Sequence, residues 1–242
     1  MRGRLPLRET ARRVVAVYRE QAGFLIAVAF LVFIPLGLVE TVAERYEEVE
    51  GEDVAGSEIL GALVAASVDA VGGSLGEEFY AGVVMAAVAQ SVVGKERPPL
   101  RTVLRTTPYL RLFALSLLFS IGLGIGLLLF VLPGVVFFAW FVLAAPLLKI
   151  EGLGVREAFR RSRELERGSF LPVLLLVGSV YLLSEGLTVL LQEEGGVVLG
   201  HSLVADWAVA VAVSVIVLPV WAVAVDVTAW RLLQMERSPA PR

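Results

Sequence analysis

The sequence contains no cysteine and only one histidine, His201. Without cysteine the chain can have no disulfide framework, no catalytic thiol and no cysteine-ligated metal. One histidine is too few for a histidine-rich metal site, and no strand followed by a G-x-G-x-x-G loop is present to bind a nucleotide. Because no catalytic constellation is visible either, we expect a protein that is not an enzyme and that uses no cofactor.

The chain is rich in apolar residues. Hydrophobic residues make up 57% of its 242 residues, and its mean hydropathy is +0.79, whereas soluble domains are roughly 45–50% apolar. Most of the apolar stretches approach the ~20 residues that a helix needs to cross a bilayer. The sequence therefore predicts an all-α polytopic membrane protein with one integral membrane domain over 1–242. Its six predicted transmembrane helices, paired in three hairpins, are 24–42, 78–94, 112–132, 134–148, 170–191 and 203–230.

The distribution of charge supports six spans independently. With that number, every lysine and arginine except Arg45 falls on one side of the membrane. Basic residues are enriched in cytoplasmic connections. We therefore expect a multi-pass protein of the bacterial plasma membrane with both termini in the cytoplasm.

The first outer connection is acidic, and the apolar segment that follows it is longer than one spanning helix. Residues 43–77 begin with "AERYEEVEGEDVAGSE", which holds seven acids and is either a solvated loop or a site for a cation or partner. The apolar stretch 59–94 is too long for one spanning helix, and Gly72, Gly73 and Gly76 are expected to break it. Its outer half then lies at the membrane surface or re-enters, and Asp69, Glu77 and Glu78 cluster near the break.

Three short basic segments share one pattern, an apolar residue followed by two arginines four residues apart. They are "LRETARR" from Leu7, "LRTVLRT" from Leu100 and "VREAFRR" from Val155, and each precedes a predicted hairpin. In the third, Val155, Ala158, Phe159 and Ser162 fall on one helical face. The pattern predicts a short amphipathic helix at the membrane interface before each hairpin, and it reflects either a true repeat or chance combined with the charge rule.

Arginines near an anionic leaflet gain about 1 kcal/mol each. These helices are therefore candidates for binding anionic membrane lipids, and the basic segments give no reason to expect a nucleic-acid partner. The candidate headgroup ligands are Arg8, Arg12, Arg101, Arg105, Arg156, Arg160 and Arg161.

The stretch "LPGVVFFAWFVLAAPLLKIEGLGVREAFRRSRELERGSF", from Leu132 to Phe170, resembles the membrane domain of bacterial glycerophosphoryl diester phosphodiesterases and related free-standing membrane proteins. The resemblance covers about 40 residues of the chain. The positions that carry it are Pro133, Gly134, Pro146, Glu151, Gly152, Ala158, Arg161, Ser162, Leu165 and Gly168. The family often has tryptophan shortly after the last glycine, where this chain has Ser169 and Phe170.

What the resemblance implies is an architecture without catalytic residues. In those phosphodiesterases a separate barrel domain holds the metal-binding carboxylates and histidines. The resemblance therefore implies a free-standing relative of the membrane module that lacks the catalytic barrel.

Ionisable residues inside apolar helices are the remaining candidates for function, because each is costly to place in a membrane. Three carboxylates qualify: Glu185, Asp206 and Asp226. Each either belongs to a proton or cation path or is a protonated or hydrogen-bonded group between helices. Gly122 and Gly126, four residues apart, are expected to let another helix approach closely.

Two functions remain open from the sequence. The first is a non-enzymatic scaffold or an envelope and lipid-homeostasis module, bound to membrane lipids and to an unknown membrane-protein partner. The second is a small transporter or lipid-translocating protein that uses an intramembrane carboxylate.

Overall fold

The computed structural model describes residues 5–50, 76–199 and 202–237. That part of the chain is helical and contains no strand. Its helices in chain order are α1 (Leu7–Glu50), α2 (76–93), α3 (Leu100–Thr106), α4 (Tyr109–Leu129), α5 (Val131–Phe141), α6 (Ala144–Glu151), α7 (Val155–Glu166), α8 (Phe170–Leu199) and α9 (Leu203–Arg237).

Five helical segments are long and apolar enough to cross a membrane: Leu7–Leu38, Tyr109–Leu129, Val131–Glu151, Phe170–Leu191 and Trp207–Arg237. The predicted all-α polytopic membrane protein is therefore confirmed. The predicted span 78–94 corresponds to α2, which is not among the five and carries Glu77 and Glu78 in its first turn. Residues 59–75, predicted to lie at the surface or to re-enter, are outside the described residues.

Contacts at both ends of α1 show that its neighbours run antiparallel to it. Near the start of α1, Gln21 Nε2 donates to Ser91 Oγ at 2.9 Å, and Arg231 of α9 binds Glu9. Near its other end, Trp207 Nε1 donates to the carbonyl oxygen of Ile34 at 3.0 Å. The arginines of all three basic segments therefore lie at one end of the bundle, which we call the basic end.

Helix α1 differs from the prediction in two ways. The first basic segment is not a separate interfacial helix, because α1 runs without a break from Leu7 to Glu50, about 66 Å at 1.5 Å per residue. Residues 43–50, predicted as loop, continue the same helix. The cause is local, since Ala43–Glu50 contains no glycine and half of its residues are glutamate, which favours helix.

The turn between α4 and α5 lies earlier than predicted. Phe130 is extended (φ −168°, ψ 153°) and separates the two helices, while Pro133 and Gly134 sit in the first turn of α5, where proline loses no helical hydrogen bond. Gly126 does allow the expected close approach, because a Cβ built there would lie 2.9 Å from Gly134 Cα. Gly122 likewise faces the ring of Phe137.

The predicted fourth span, 134–148, is broken into two helices. Helix α5 ends at Phe141 and α6 begins at Ala144. Pro146 explains the break, because proline has no N–H to donate to the carbonyl four residues earlier, and its ring clashes with that carbonyl, here that of Val142. Helix α6 then ends at Gly152, whose positive φ of 69° is readily adopted only by glycine.

The largest cluster of buried apolar side chains joins α1, α2 and α9, and includes Leu25, Phe33, Val84 and Val223. A second cluster joins α5 and α6 to α8 and α9. Many large apolar side chains of α4, α5 and α8 face outward instead, as expected for helices in contact with lipid rather than water.

Candidate functional site

Charged side chains from three helices line one cavity inside the bundle. The cavity has a volume of about 190 Å³ and lies between α2, the α5–α6 segment and α9. Its ionisable and aromatic lining residues are Glu77, Glu78, Tyr80, Lys149, Trp221 and Asp226. We call it the inner cavity.

An ion pair between α2 and α6 forms part of its wall. Lys149 Nζ lies 3.7 Å from Glu78 Oε2, and the two side chains are only 6% and 12% exposed. Glu78 Oε1 also accepts a hydrogen bond from Ser116 Oγ of α4 at 2.8 Å. The pair is well supported, because a buried charge is tolerated when a partner and further hydrogen bonds compensate for its lost hydration.

Asp226 adds a further buried carboxyl to the same cavity. It lies on α9, is 6% exposed, and is the only one of the three predicted intramembrane carboxylates whose side chain the structure describes. Glu185 falls in α8 and Asp206 in α9, but their side chains are outside the described part. Asp226 is therefore the described member of this predicted set, and it lines the inner cavity.

Aromatic side chains hold the cavity wall in place. The Tyr80 hydroxyl donates to the carbonyl oxygen of Leu25 at 3.2 Å, and the ring of Phe33 meets that of Tyr80 edge-on. Trp221 packs edge-on against Tyr181 of α8. Fixed rings therefore form one side of the inner cavity, and charged groups form the other.

The sequence does not predict the pair of Lys149 and Glu78. Lys149 follows the predicted span 134–148 and so belongs to a predicted connection, while Glu78 is predicted to lie near Asp69 at a helix break. One feature of the sequence does indicate a buried position for Lys149, because its neighbours Leu147, Leu148 and Ile150 are apolar. The partner could not be read from the sequence, because the pair joins residues 71 positions apart.

Arg161 stands apart from the other candidate lipid ligands. Its Nε and Nη2 donate to the two carboxylate oxygens of Glu151 at 2.9 and 3.1 Å, and its other contacts are to Glu236. Hydrogen bonds to both carboxylates raise the pKa of Arg161. Arg161 therefore ties α7 to the ends of α6 and α9, whereas the remaining six candidates are exposed: Arg8, Arg12, Arg101, Arg105, Arg156 and Arg160.

Helix α7 also buries a carboxyl group. Glu166 is 1% exposed, and its Oε2 finds no hydrogen-bond partner in the described part of the chain. Burial raises its pKa to about 9, although the hydrogen bond from Ser162 lowers it. Glu166 is therefore a neutral acid at pH 7.

No group of three or more acidic, histidine or cysteine side chains that could hold a metal ion occurs among the described residues. The chain matches no protein-family model, no curated protein and no solved structure.

Proposed function

We propose that this protein is a small, non-enzymatic transporter that moves a polar solute through the inner cavity. The observation that carries the proposal is the presence of Glu78, Lys149 and Asp226 around a space of about 190 Å³ in a helical membrane bundle. Ionisable residues at such positions cost several kcal/mol and commonly mark substrate or ion paths.

The charges favour a cationic solute. Glu77, Glu78 and Asp226 provide three carboxyl groups against the single ammonium of Lys149, and a cavity with an excess of one charge attracts the opposite one. Lys149 already lies beside Glu78, so an entering cation competes with it for that carboxylate. This competition gives the protein a simple way to couple binding of the solute to movement of α6 against α2.

Cysteine accessibility tests the proposal directly, because the natural chain has no cysteine. Ala145 and Ala222 line the inner cavity, whereas their neighbours Ala144 and Ala224 are fully buried and do not. Each residue is replaced singly by cysteine, and the protein is reconstituted in liposomes. Membrane-impermeant thiol reagents of either charge are then added from one side at a time.

We expect the two cavity cysteines to react from both sides, faster with the cationic reagent, and the two buried controls to stay unmodified. The preference for the cationic reagent should fall in a Glu78→Gln background. Reaction from only one side would contradict translocation, and no reaction from either side would contradict a hydrated cavity.

The exposed arginines favour a second candidate, a scaffold or lipid-homeostasis module that binds anionic lipid at the basic end. Six arginines from α1, α3 and α7 are exposed there, and each gains about 1 kcal/mol near an anionic leaflet. Arg156→Gln combined with Arg160→Gln should reduce the anionic lipid that co-purifies in native mass spectrometry. Unchanged lipid retention would remove this candidate.

The proposal also includes the location of the protein in the cell and the family to which it belongs. The arginines at one end support placing the basic end in the cytoplasm of a bacterial plasma membrane, with both termini there. We propose membership in the membrane-domain family of glycerophosphoryl diester phosphodiesterases from the resemblance over Leu132–Phe170 alone. Reporter fusions to the two termini would test the orientation.

A further inference from the structure

A second cavity opens at the basic end, between α2, α3, the start of α4 and the end of α6. Its volume is about 380 Å³, and we call it the basic cavity. Lys149 lines it as well as the inner cavity, so the two spaces meet the same side chain. The remaining wall is mostly apolar or hydroxyl-bearing, with Met85, Val103 and Thr107 as examples.

All the ionisable side chains that line the basic cavity are cationic. Arg111 and Lys149 supply two positive charges, and no carboxylate is among the lining residues. The Lys149 side chain is only 6% exposed. Arg111 has no ion pair with any residue that the structure describes. The cavity therefore carries a net positive charge. The described carboxyl groups that offset it, Glu78 beside Lys149 and Asp226, line the inner cavity instead.

The start of α4 adds to this positive field. Helix α4 has 21 residues, and its N-cap residue Pro108 lines the basic cavity and provides no side-chain cap. The N-terminal end of a helix carries about half a positive charge and binds anions. The basic cavity is thus lined by the N-terminal end of α4, the buried ammonium of Lys149 and the guanidinium of Arg111.

We propose that the basic cavity binds a phosphate group, carried by a phospholipid headgroup or by a soluble phosphate ester. A guanidinium matches the tetrahedral oxygens of phosphate in a two-pronged contact, and an ammonium adds a point charge. The cavity is larger than phosphate alone. The apolar wall at Met85 and Val103 is therefore available to the group esterified to it.

This site shares Lys149 with the inner cavity, but it can be tested separately from the proposed transport function. Arg111 lines the basic cavity but not the inner cavity, so a change at Arg111 leaves the carboxylates of the inner cavity in place. Loss of phosphate binding and loss of cysteine accessibility are accordingly independent results.

Binding is measured on the purified full chain in mild detergent by isothermal titration calorimetry. The soluble probes are inorganic phosphate and glycerol phosphate, and the lipid probe is dihexanoyl phosphatidic acid below its micellar concentration. The variant is Arg111→Gln, and the matched control is Arg19→Gln, which removes an exposed arginine of α1 that neither lines the cavity nor is a candidate headgroup ligand. Ala86→Phe, which places a ring in the cavity, is a second variant that keeps both cations.

We expect Arg111→Gln to raise the dissociation constant at least about tenfold, as loss of a charge-assisted contact to phosphate should, and Arg19→Gln to leave it unchanged. Ala86→Phe should weaken binding as well. Binding of the soluble probes identifies a phosphate ester as the ligand, and binding of the lipid probe alone identifies a headgroup. The proposal is overturned if the wild type binds none of the probes, or if Arg111→Gln and Arg19→Gln weaken binding equally.

Discussion

Replacing Arg161 by glutamine should destabilise the protein strongly, whereas the same change at its neighbour Arg160 should not. Arg161 is 24% exposed and bridges Glu151 of α6 and Glu236 of α9. Arg160 is 71% exposed and lies 3.9 Å from Glu164 within its own helix. The two variants remove the same charge from adjacent positions, so they differ only in what each arginine contacts.

The magnitude follows from the contacts. A hydrogen bond to a charged group contributes about 1.5–3 kcal/mol, and Arg161 makes several, but its partial exposure reduces their sum. We expect a loss of about 3 kcal/mol in the free energy of unfolding, partly because two carboxylates are left facing each other. For Arg160→Gln we expect less than about 0.5 kcal/mol, since exposed pairs are worth little.

Thermal unfolding in detergent, followed by circular dichroism, measures both variants. A chain of this size loses about 2–4 °C in Tm per kcal/mol, so Arg161→Gln should lower Tm by about 6–12 °C. The added change Glu236→Gln should recover part of the loss, because it removes one of the two repelling carboxylates. Equal Tm values for the Arg160 and Arg161 variants would refute the reasoning and would return Arg161 to the lipid-facing set.

Two further changes test the buried acid and the closest helix contact. The folded protein keeps the proton of Glu166 up to about pH 9, whereas the unfolded carboxyl loses it near pH 4.5, so wild-type stability falls as the pH rises between these values. Glu166→Gln removes that loss, and its Tm advantage should widen from pH 5 to pH 9; a constant difference would contradict the raised pKa. Gly126→Leu should lower Tm far more than Gly124→Leu, because a Cβ at Gly126 meets Gly134 at 2.9 Å while one at Gly124 meets nothing within 4 Å. Similar Tm values for the two would contradict the close approach of α4 and α5.

Hydrophobic length and arginine placement predicted most of the architecture, because both are properties of single segments. What the sequence could not provide is the local geometry around special residues. Pro146 divides the predicted span 134–148 into α5 and α6, and Phe130 forms the turn between α4 and α5, before the boundary at residue 133 that the predicted spans imply. Both features depend on which backbone hydrogen bonds the neighbouring residues can form, and composition alone does not determine this.

The candidate site was less predictable for a related reason. Asp226 was identified because a carboxylate in an apolar helix is conspicuous. Lys149 lies close to the end of its helix, where a lysine is ordinary, and only the fold shows that it points inward to Glu78. Pairing between distant helices sets the chemistry of this site, and a single sequence contains no direct record of that pairing.

The packing of α1 against α9 has a consequence for how the chain is made. Arg231 meets Glu9 across 222 positions of sequence, and the largest buried cluster needs side chains from both helices. Helices α1 and α2 enter the membrane first during synthesis. The face that they share with α9 is therefore covered only after α9, the last helix, has been inserted. During that interval, lipid or insertion factors must cover the part of this face that α9 covers in the finished protein. Contacts so distant in sequence form late, so the rate of biogenesis should depend on the arrival of α9.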